Sequence, residues 1–229
     1  MRVKICGITN TDDGKLALAL GASELGFVLA PSPRRIEPET VKAIVETLRN
    51  NSSLPAFKAV GVFVNEEPRA MRDIMALAGL DLAQLHGDEN PEACAAFGFP
   101  WYKALRIASV DQAERFVGRP WPCARLLVDS APSATAGAYY GGSGSSIGTW
   151  AVLAAKARAR DAGKEFFIAG GVRPRNVASF IYSFSPDGID VSSGVEESPG
   201  RKSKEKLEAL FAEIKIACSR REEASDAAQ

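Results

Sequence analysis

Eight times along this chain a short apolar run suited to a buried strand is followed by a stretch whose apolar residues recur at helical spacing, an alternation that leaves few ways to fold. The expected strands are Val3–Ile8, Glu24–Ala30, Phe57–Val64, Leu82–His86, Trp101–Ile107, Arg125–Asp129, Phe166–Ala169 and Gly188–Ser192. Between them, Val41, Ile44, Val45 and Leu48 fall on one helical face, as do Met71, Ile74, Met75 and Ala78, and the last helix carries Leu207, Leu210, Phe211 and Ile214. Asn90-Pro91 and Arg173-Pro174 place proline where a first helical turn tolerates it. Strands that alternate with helices must run parallel through crossovers, and runs such as Leu126-Leu127-Val128 suit a sheet covered by helices. The expected fold class is therefore α/β, a single-domain (β/α)8 TIM barrel. An open doubly wound sheet is the competitor, and the chain lacks the dinucleotide glycine fingerprint that often accompanies it.

The chain has 229 residues, which a barrel can organise around one core; residues 1–218 are expected to form the barrel, and the polar stretch 219–229 a frayed tail. Twenty-eight basic and 28 acidic side chains cancel, so there is no basic field to draw the protein to nucleic acid or an anionic membrane. A local anion pocket stays open. Met1 to Cys6 lacks the longer hydrophobic stretch of a secretory signal, and no run approaches the roughly 18 apolar residues of a membrane helix. Cys6, Cys94, Cys123 and Cys218 show neither disulfide nor zinc spacing, which makes the cytoplasm the simplest compartment. The apolar faces do not distinguish a monomer from a homodimer.

In a barrel of this kind the C-terminal ends of the strands and the loops after them form the active face, and the chemically capable residues gather there. The first strand ends in Cys6, the second leads into Arg34 and Arg35, the fourth ends in His86 and the sixth in Asp129. Gly170-Gly171 follow the seventh, and the eighth carries Asp190 before Ser192-Ser193-Gly194. Each has an ordinary alternative: Cys6 as apolar filler, His86 as a hydrogen-bonded structural group, the arginines as a solvated pair, Asp190 as an anchor for its own loop. Asp129 closes the apolar run Leu126-Leu127-Val128 and so needs either solvent or partners. Glycines after strands seven and eight let backbone N–H groups approach a phosphate, and Gly142 and Gly144 in the long sixth loop add further candidate donors.

At these positions the sequence resembles the phosphoribosylanthranilate isomerase family of tryptophan biosynthesis. The resemblance runs in order through Lys4-Ile5-Cys6-Gly7-Ile8-Thr9, Ser32-Pro33-Arg34-Arg35, Gly61-Val62-Phe63-Val64-Asn65 and Gln84-Leu85-His86-Gly87-Asp88-Glu89. It continues in Leu127-Val128-Asp129-Ser130, Ala169-Gly170-Gly171-Val172 and Asp190-Val191-Ser192-Ser193-Gly194-Val195-Glu196. The resemblance implies an Amadori rearrangement without cofactor or metal, acting on a small phosphorylated substrate, with Cys6 as general base and Asp129 as general acid. It implies that Arg35 binds the anthranilate carboxylate, that Gly170, Gly171, Ser192, Ser193 and Gly194 hold phosphate, and that His86 and Asp190 belong to the substrate site. The sixth loop departs from the family: Ser145-Ser146-Ile147-Gly148-Thr149-Trp150 stands where two variable residues and Phe-Asp-Trp are usual.

Two further readings are open. A histidine-pathway aminoaldose isomerase performs the same rearrangement, but that family uses a carboxylate where this chain has Cys6; the other reading is a catalytically silent phosphosugar-binding barrel. If Cys6 is the base it must act as thiolate, and the ordinary alkaline pKa of a thiol leaves only a few per cent ionised at neutrality. Lys4 is not expected to help, because strand alternation puts it on the same face as Cys6 but one layer deeper.

Overall fold

All eight strands form, as β1 (Arg2–Cys6), β2 (Glu24–Val28), β3 (Lys58–Phe63), β4 (Leu82–Leu85), β5 (Trp101–Arg106), β6 (Arg125–Asp129), β7 (Glu165–Ala169) and β8 (Gly188–Val191). In the computed structural model each pairs in parallel with the next, and β8 pairs with β1, so the sheet closes into the expected barrel. The structure describes residues 1–95, 97–107, 109–117, 119–129 and 146–226. Around the barrel lie α1 (Thr11–Leu20), α2 (Pro38–Arg49), α3 (Pro68–Ala78), α4 (Pro91–Cys94), α5 (Val110–Val117), α6 (Ser146–Asp161), α7 (Pro174–Phe184) and α8 (Lys204–Asp226). Among the described residues no helix is long and apolar enough to cross a membrane.

The helical stripes read from the sequence face the core, with Ile74 and Phe211 only half-buried at its edge. Val41, Ile44, Val45 and Leu48 of α2 turn inward together, as do Met71, Met75 and Ala78 of α3. Proline occupies the first turn of α2, α3 and α7, where its missing N–H costs no intrahelical bond. Asn10 caps α1 by accepting from the Asp13 amide at 2.9 Å. Residues 219–226, expected to fray, instead continue α8 as helix. Arg220, Arg221, Glu222 and Glu223 are polar but include no glycine or proline to stop propagation, so the absence of an apolar face did not mean the absence of a helix.

The apolar core divides in two, as the architecture requires. A larger cluster fills the layer between strands and helices, and a smaller one, including Val60, Tyr102, Leu127 and Phe167, lies inside the barrel. That inner space also holds charge. Arg125 grips Glu24 through two hydrogen-bond-length contacts of 2.8 Å, reaches Glu165 at 3.2 Å, and lies over the Phe167 ring at 4.0 Å. Arg2 pairs with Glu165 and covers the same ring. Higher up, Lys4 is fully buried and pairs with both oxygens of Asp190 at 3.0 Å; the two residues are register partners across the β1–β8 seam.

A third charged cluster ties the loops above the seam. Glu196, at the start of β9 (Glu196–Ser198), accepts from Arg34 at 2.6–3.0 Å and from Lys202 of β10 (Arg201–Lys202) at 2.9 Å. Lys202 also donates to the Cys6 carbonyl at 2.6 Å. Burial alone would raise the Glu196 pKa, but the hydrogen bonds from Arg34 and Lys202 outweigh it and hold the carboxyl below its ordinary 4.5. A depressed folded-state pKa contributes stability above the unfolded value, and that stability is lost as pH falls through the folded one. Glu196→Gln is therefore expected to cost about 3–5 kcal/mol in urea unfolding near neutrality. The gap to wild type should narrow as the pH falls from the unfolded-state pKa through the folded-state one, and an equal gap at all pH values would remove the charge from this account.

Candidate active site

The C-terminal ends of the strands surround a cavity of about 420 Å³. Cys6, Asp129 and Asp190 line it from β1, β6 and β8, His86 from just after β4, and Gly170, Gly171, Ser192, Ser193 and Gly194 from the two loops that follow β7 and β8. Gly142 and Gly144, the other candidate phosphate donors, lie outside the described residues. Among the described residues no group of three His, Cys, Asp or Glu side chains is placed to hold a metal ion.

The arginine pair is arranged differently from expectation. Arg34, not Arg35, lines the cavity, with its guanidinium committed to Glu196. Arg35 is half exposed and faces Glu37 at 3.3 Å. The loop connecting β2 to α2 has no strand periodicity to say which of two adjacent side chains turns inward. Arg106, at the end of β5, is a cavity-lining cation that the sequence reading passed over. Its register partner is Asp129, and among the described residues it has no carboxylate partner.

Lys4 overturns a second expectation. Its backbone does lie a layer below Cys6, but its long side chain rises to Asp190 and brings the ammonium near the thiol. Burial raises the Cys6 pKa above its ordinary 9.0; the Lys4 charge and hydrogen bond oppose that rise, and the Asp190 carboxylate adds to it. Burial works against the charge on Lys4 too, yet Asp190 and its other neighbours hold its pKa well above 10.5. Room for this arrangement comes from β2. A Cβ on Gly26 would meet Cys6 Sγ at 2.7 Å and Lys4 Nζ at 2.9 Å.

His86 follows β4 and lies on the same strand face as Gln84. Its Nε2 stands 3.3 Å from Asp129 Oδ2 without reaching hydrogen-bond geometry, and its Nδ1 is 3.2 Å from the Gln84 amide nitrogen. The loop beyond His86 is fixed by Lys103, whose buried ammonium donates to the Leu85 and Gly87 carbonyls and to Glu89. Across the cavity, Gly170 and Gly171 both take positive φ, 90° and 68°. Gly194 lies so close to the preceding loop that a Cβ there would fall 1.8 Å from the Val172 carbonyl oxygen. The seventh and eighth loops are thus pressed together into one wall built largely of backbone, which is what an anion site without side-chain charge needs.

Three comparisons with known proteins agree. The family model described as N-(5'phosphoribosyl)anthranilate (PRA) isomerase matches residues 3–213. An N-(5'-phosphoribosyl)anthranilate isomerase of Acidithiobacillus ferrooxidans is 38% identical over 217 residues, covering 94% of this chain and 98% of the relative. The crystal structure of phosphoribosyl anthranilate isomerase from Thermotoga maritima superposes with a TM-score of 0.79 at 35% identity, over 94% of this chain and 98% of that one. A further structure of such an isomerase, in complex with reduced 1-(o-carboxyphenylamino)-1-deoxyribulose 5-phosphate, has a TM-score of 0.77 at 32% identity, over 94% and 98% of the two chains.

The contact at Gly26 yields a direct test of the site's packing. Strand β2 is held on both sides by β1 and β3, so a methyl group at Gly26 must displace Cys6 or Lys4 rather than the backbone. Gly26→Ala is expected to lower kcat in the assay described below by at least about tenfold, since sub-ångström to ångström misplacement of a reacting group carries losses up to 10²-fold. Its overpacking cost in urea unfolding should stay near 1–3 kcal/mol. Unchanged turnover would mean that the thiol's position is not held by this contact.

Proposed function

The chain belongs to the N-(5'-phosphoribosyl)anthranilate isomerase family, and from that premise we propose that it converts N-(5-phosphoribosyl)anthranilate into 1-(2-carboxyphenylamino)-1-deoxyribulose 5-phosphate in tryptophan biosynthesis, with Asp129 as general acid and Cys6 as general base. The observation that carries this reading is the meeting of Cys6 and Asp129 in a single cavity whose far wall is the paired glycine loops. A phosphate seated on Gly170, Gly171 and Ser192–Gly194 leaves the sugar ring between the two groups.

Asp129 gives its proton to the furanose oxygen as the C1–O bond breaks, and the anthranilate nitrogen takes up the cationic character as a protonated Schiff base with C1. The thiolate of Cys6 then removes the C2 proton, the electron pair moves to form the C1–C2 double bond of an enolamine, and tautomerisation delivers the ketone. Loss of the positive iminium is the reason a weak base suffices at C2. Burial disfavours the thiolate, and Lys4 is the built-in counterweight. The arrangement therefore asks for charge stabilisation beside the base, and Lys4 supplies it without touching the ring. Asp190 holds Lys4 in that position.

For the anthranilate carboxylate the family resemblance points to Arg35. Its pair with Glu37 is exposed and contributes only about 0–1 kcal/mol, so a substrate carboxylate competes with it easily. Arg106, already at the cavity and without a carboxylate partner among the described residues, adds a second cation. A protein with no net charge thereby meets a substrate carrying both a phosphate and a carboxylate with local charge and backbone donors alone.

Purified protein given freshly generated phosphoribosylanthranilate is expected to quench the substrate's anthranilate fluorescence. A folded protein that leaves the fluorescence unchanged would favour the silent phosphosugar-binding barrel, and turnover of the histidine-pathway aminoaldose instead would favour that isomerase. Cys6→Ser and Asp129→Asn should each lower kcat at least about a hundredfold while product-analogue affinity stays within about tenfold. Near-normal turnover in either variant removes that residue from its role. Arg35→Ala should weaken substrate binding by about 1.5–3 kcal/mol, the loss of a charge-assisted contact, and an unchanged KM would take Arg35 out of the site.

A further inference from the structure

Behind His86 the barrel interior holds a short polar chain that nothing in the reaction itself explains. Tyr102 on β5 is the register partner of Gln84 on β4, and its hydroxyl lies 2.7 Å from Gln84 Oε1. The other end of the same amide, Nε2, is 3.2 Å from His86 Nδ1. Both Tyr102 and Gln84 are 1% exposed, so water does not substitute for a missing partner.

An amide can be turned end for end, and both orientations make two contacts here, so the choice must come from the hydrogen-bond ledger of the neighbours. With the amide reversed, Gln84 would donate to the Tyr102 oxygen, and the phenolic proton would be left in the barrel interior without an acceptor among the described residues. In the observed orientation that proton is satisfied by Gln84 Oε1, and burial keeps it on the tyrosine by raising the phenol's pKa. Gln84 Nε2 then donates to Nδ1. A neutral imidazole that accepts at Nδ1 carries its proton at Nε2. That nitrogen faces Asp129 Oδ2 at 3.3 Å; with the opposite tautomer two lone pairs would confront each other there once the acid had ionised. The Nε2–Asp129 contact is loose in geometry, as catalytic hydrogen bonds often are until substrate is in place.

We propose that Tyr102 and Gln84 are positioning residues that lock His86 in its Nε2–H tautomer, so that the imidazole donates to Asp129 Oδ2 and the transferable proton of the acid sits on Oδ1. The chain Tyr102–Gln84–His86 thus orients the acid and stabilises the carboxylate that forms when it gives up its proton. The consequence for catalysis rests on the role given to Asp129 above; the tautomer itself does not.

His86 is the only histidine in the chain, so histidine-labelled protein gives a single imidazole in long-range ¹H–¹⁵N correlation spectra. At a pH where the ring is neutral, wild type is expected to show a protonated Nε2 and a bare Nδ1. Tyr102→Phe frees the amide to turn and should shift the ring toward a mixture of tautomers, with kcat reduced about three- to tenfold and KM within about twofold. Gln84→Glu places only acceptors opposite Nδ1 and should drive the proton there, with a larger loss of kcat, at least about tenfold. A dominant Nδ1–H tautomer in wild type, or an unchanged tautomer in Tyr102→Phe, overturns the proposal. Since Tyr102→Phe removes a single oxygen, it carries the test should Gln84→Glu not fold. If Asp129→Asn keeps its activity while the spectra behave as expected, the acid assignment fails and the tautomer lock stands.

Discussion

A fully buried ammonium needs a counter-charge, and in this protein the requirement of Lys4 organises the seam where the barrel closes. Its partner is Asp190, directly across in register on the last strand, at 3.0 Å from both carboxylate oxygens. Breaking such a pair by removing one partner leaves an uncompensated charge, typically worth 3–5 kcal/mol, so the first and last strands are bound by more than their ladder. The pair also restricts its neighbours. Position 26 must be glycine-sized to leave room for Lys4 and Cys6 together, and Cys6, two residues along the same strand face, inherits an ammonium and a carboxylate as its electrostatic surroundings.

The site above the seam follows from that arrangement. A buried thiol is normally inert, because burial penalises the thiolate. Here Lys4 opposes the penalty from below, while Lys202 ties the Cys6 carbonyl to Glu196 and through it to Arg34. The side of the proposed acid is built by different means: Asp129 ends β6 and faces the His86 ring, which is itself held by Gln84 and by the Lys103-braced loop. The proposed phosphate wall is formed by the loops after β7 and β8, which Gly194 allows to touch. The proposed base, acid and anion site therefore rest on separate supports that share one barrel.

Much of this was legible in the sequence, for physical reasons. Strands buried on both faces read as apolar runs, helices packed on a sheet read as stripes, and the barrel rule gathers strand-end residues such as Cys6, His86, Asp129 and Asp190 into one place before any coordinates are known. What escaped depended on side-chain reach or on pairing between distant segments. Alternation placed the Lys4 backbone correctly and missed that four methylenes span a layer. Gln84 stood in the sequence only as part of a motif, and its importance shows only with the β4–β5 register that brings Tyr102 alongside. Which of Arg34 and Arg35 turns inward is decided by Glu196, 162 residues beyond Arg34. The end of α8 was missed because periodicity detects helices that bury a face, and Ser219, Arg220, Glu222 and Glu223 are exposed.

That the Lys4–Asp190 pair tunes the ionisation of Cys6, the proposed base, against the larger penalty of burial is the central claim. It is tested most directly by following the ¹³Cβ resonance of Cys6, assigned with Cys6→Ser, through an alkaline pH titration of wild type and of Asp190→Asn. In wild type the thiol should titrate above its ordinary 9.0, raised by burial against the pull of Lys4. In Asp190→Asn the opposing carboxylate is gone and Lys4 is left to the thiolate, so the midpoint should fall. The same midpoint in both proteins, or a wild-type value at or below 9.0, would contradict the account.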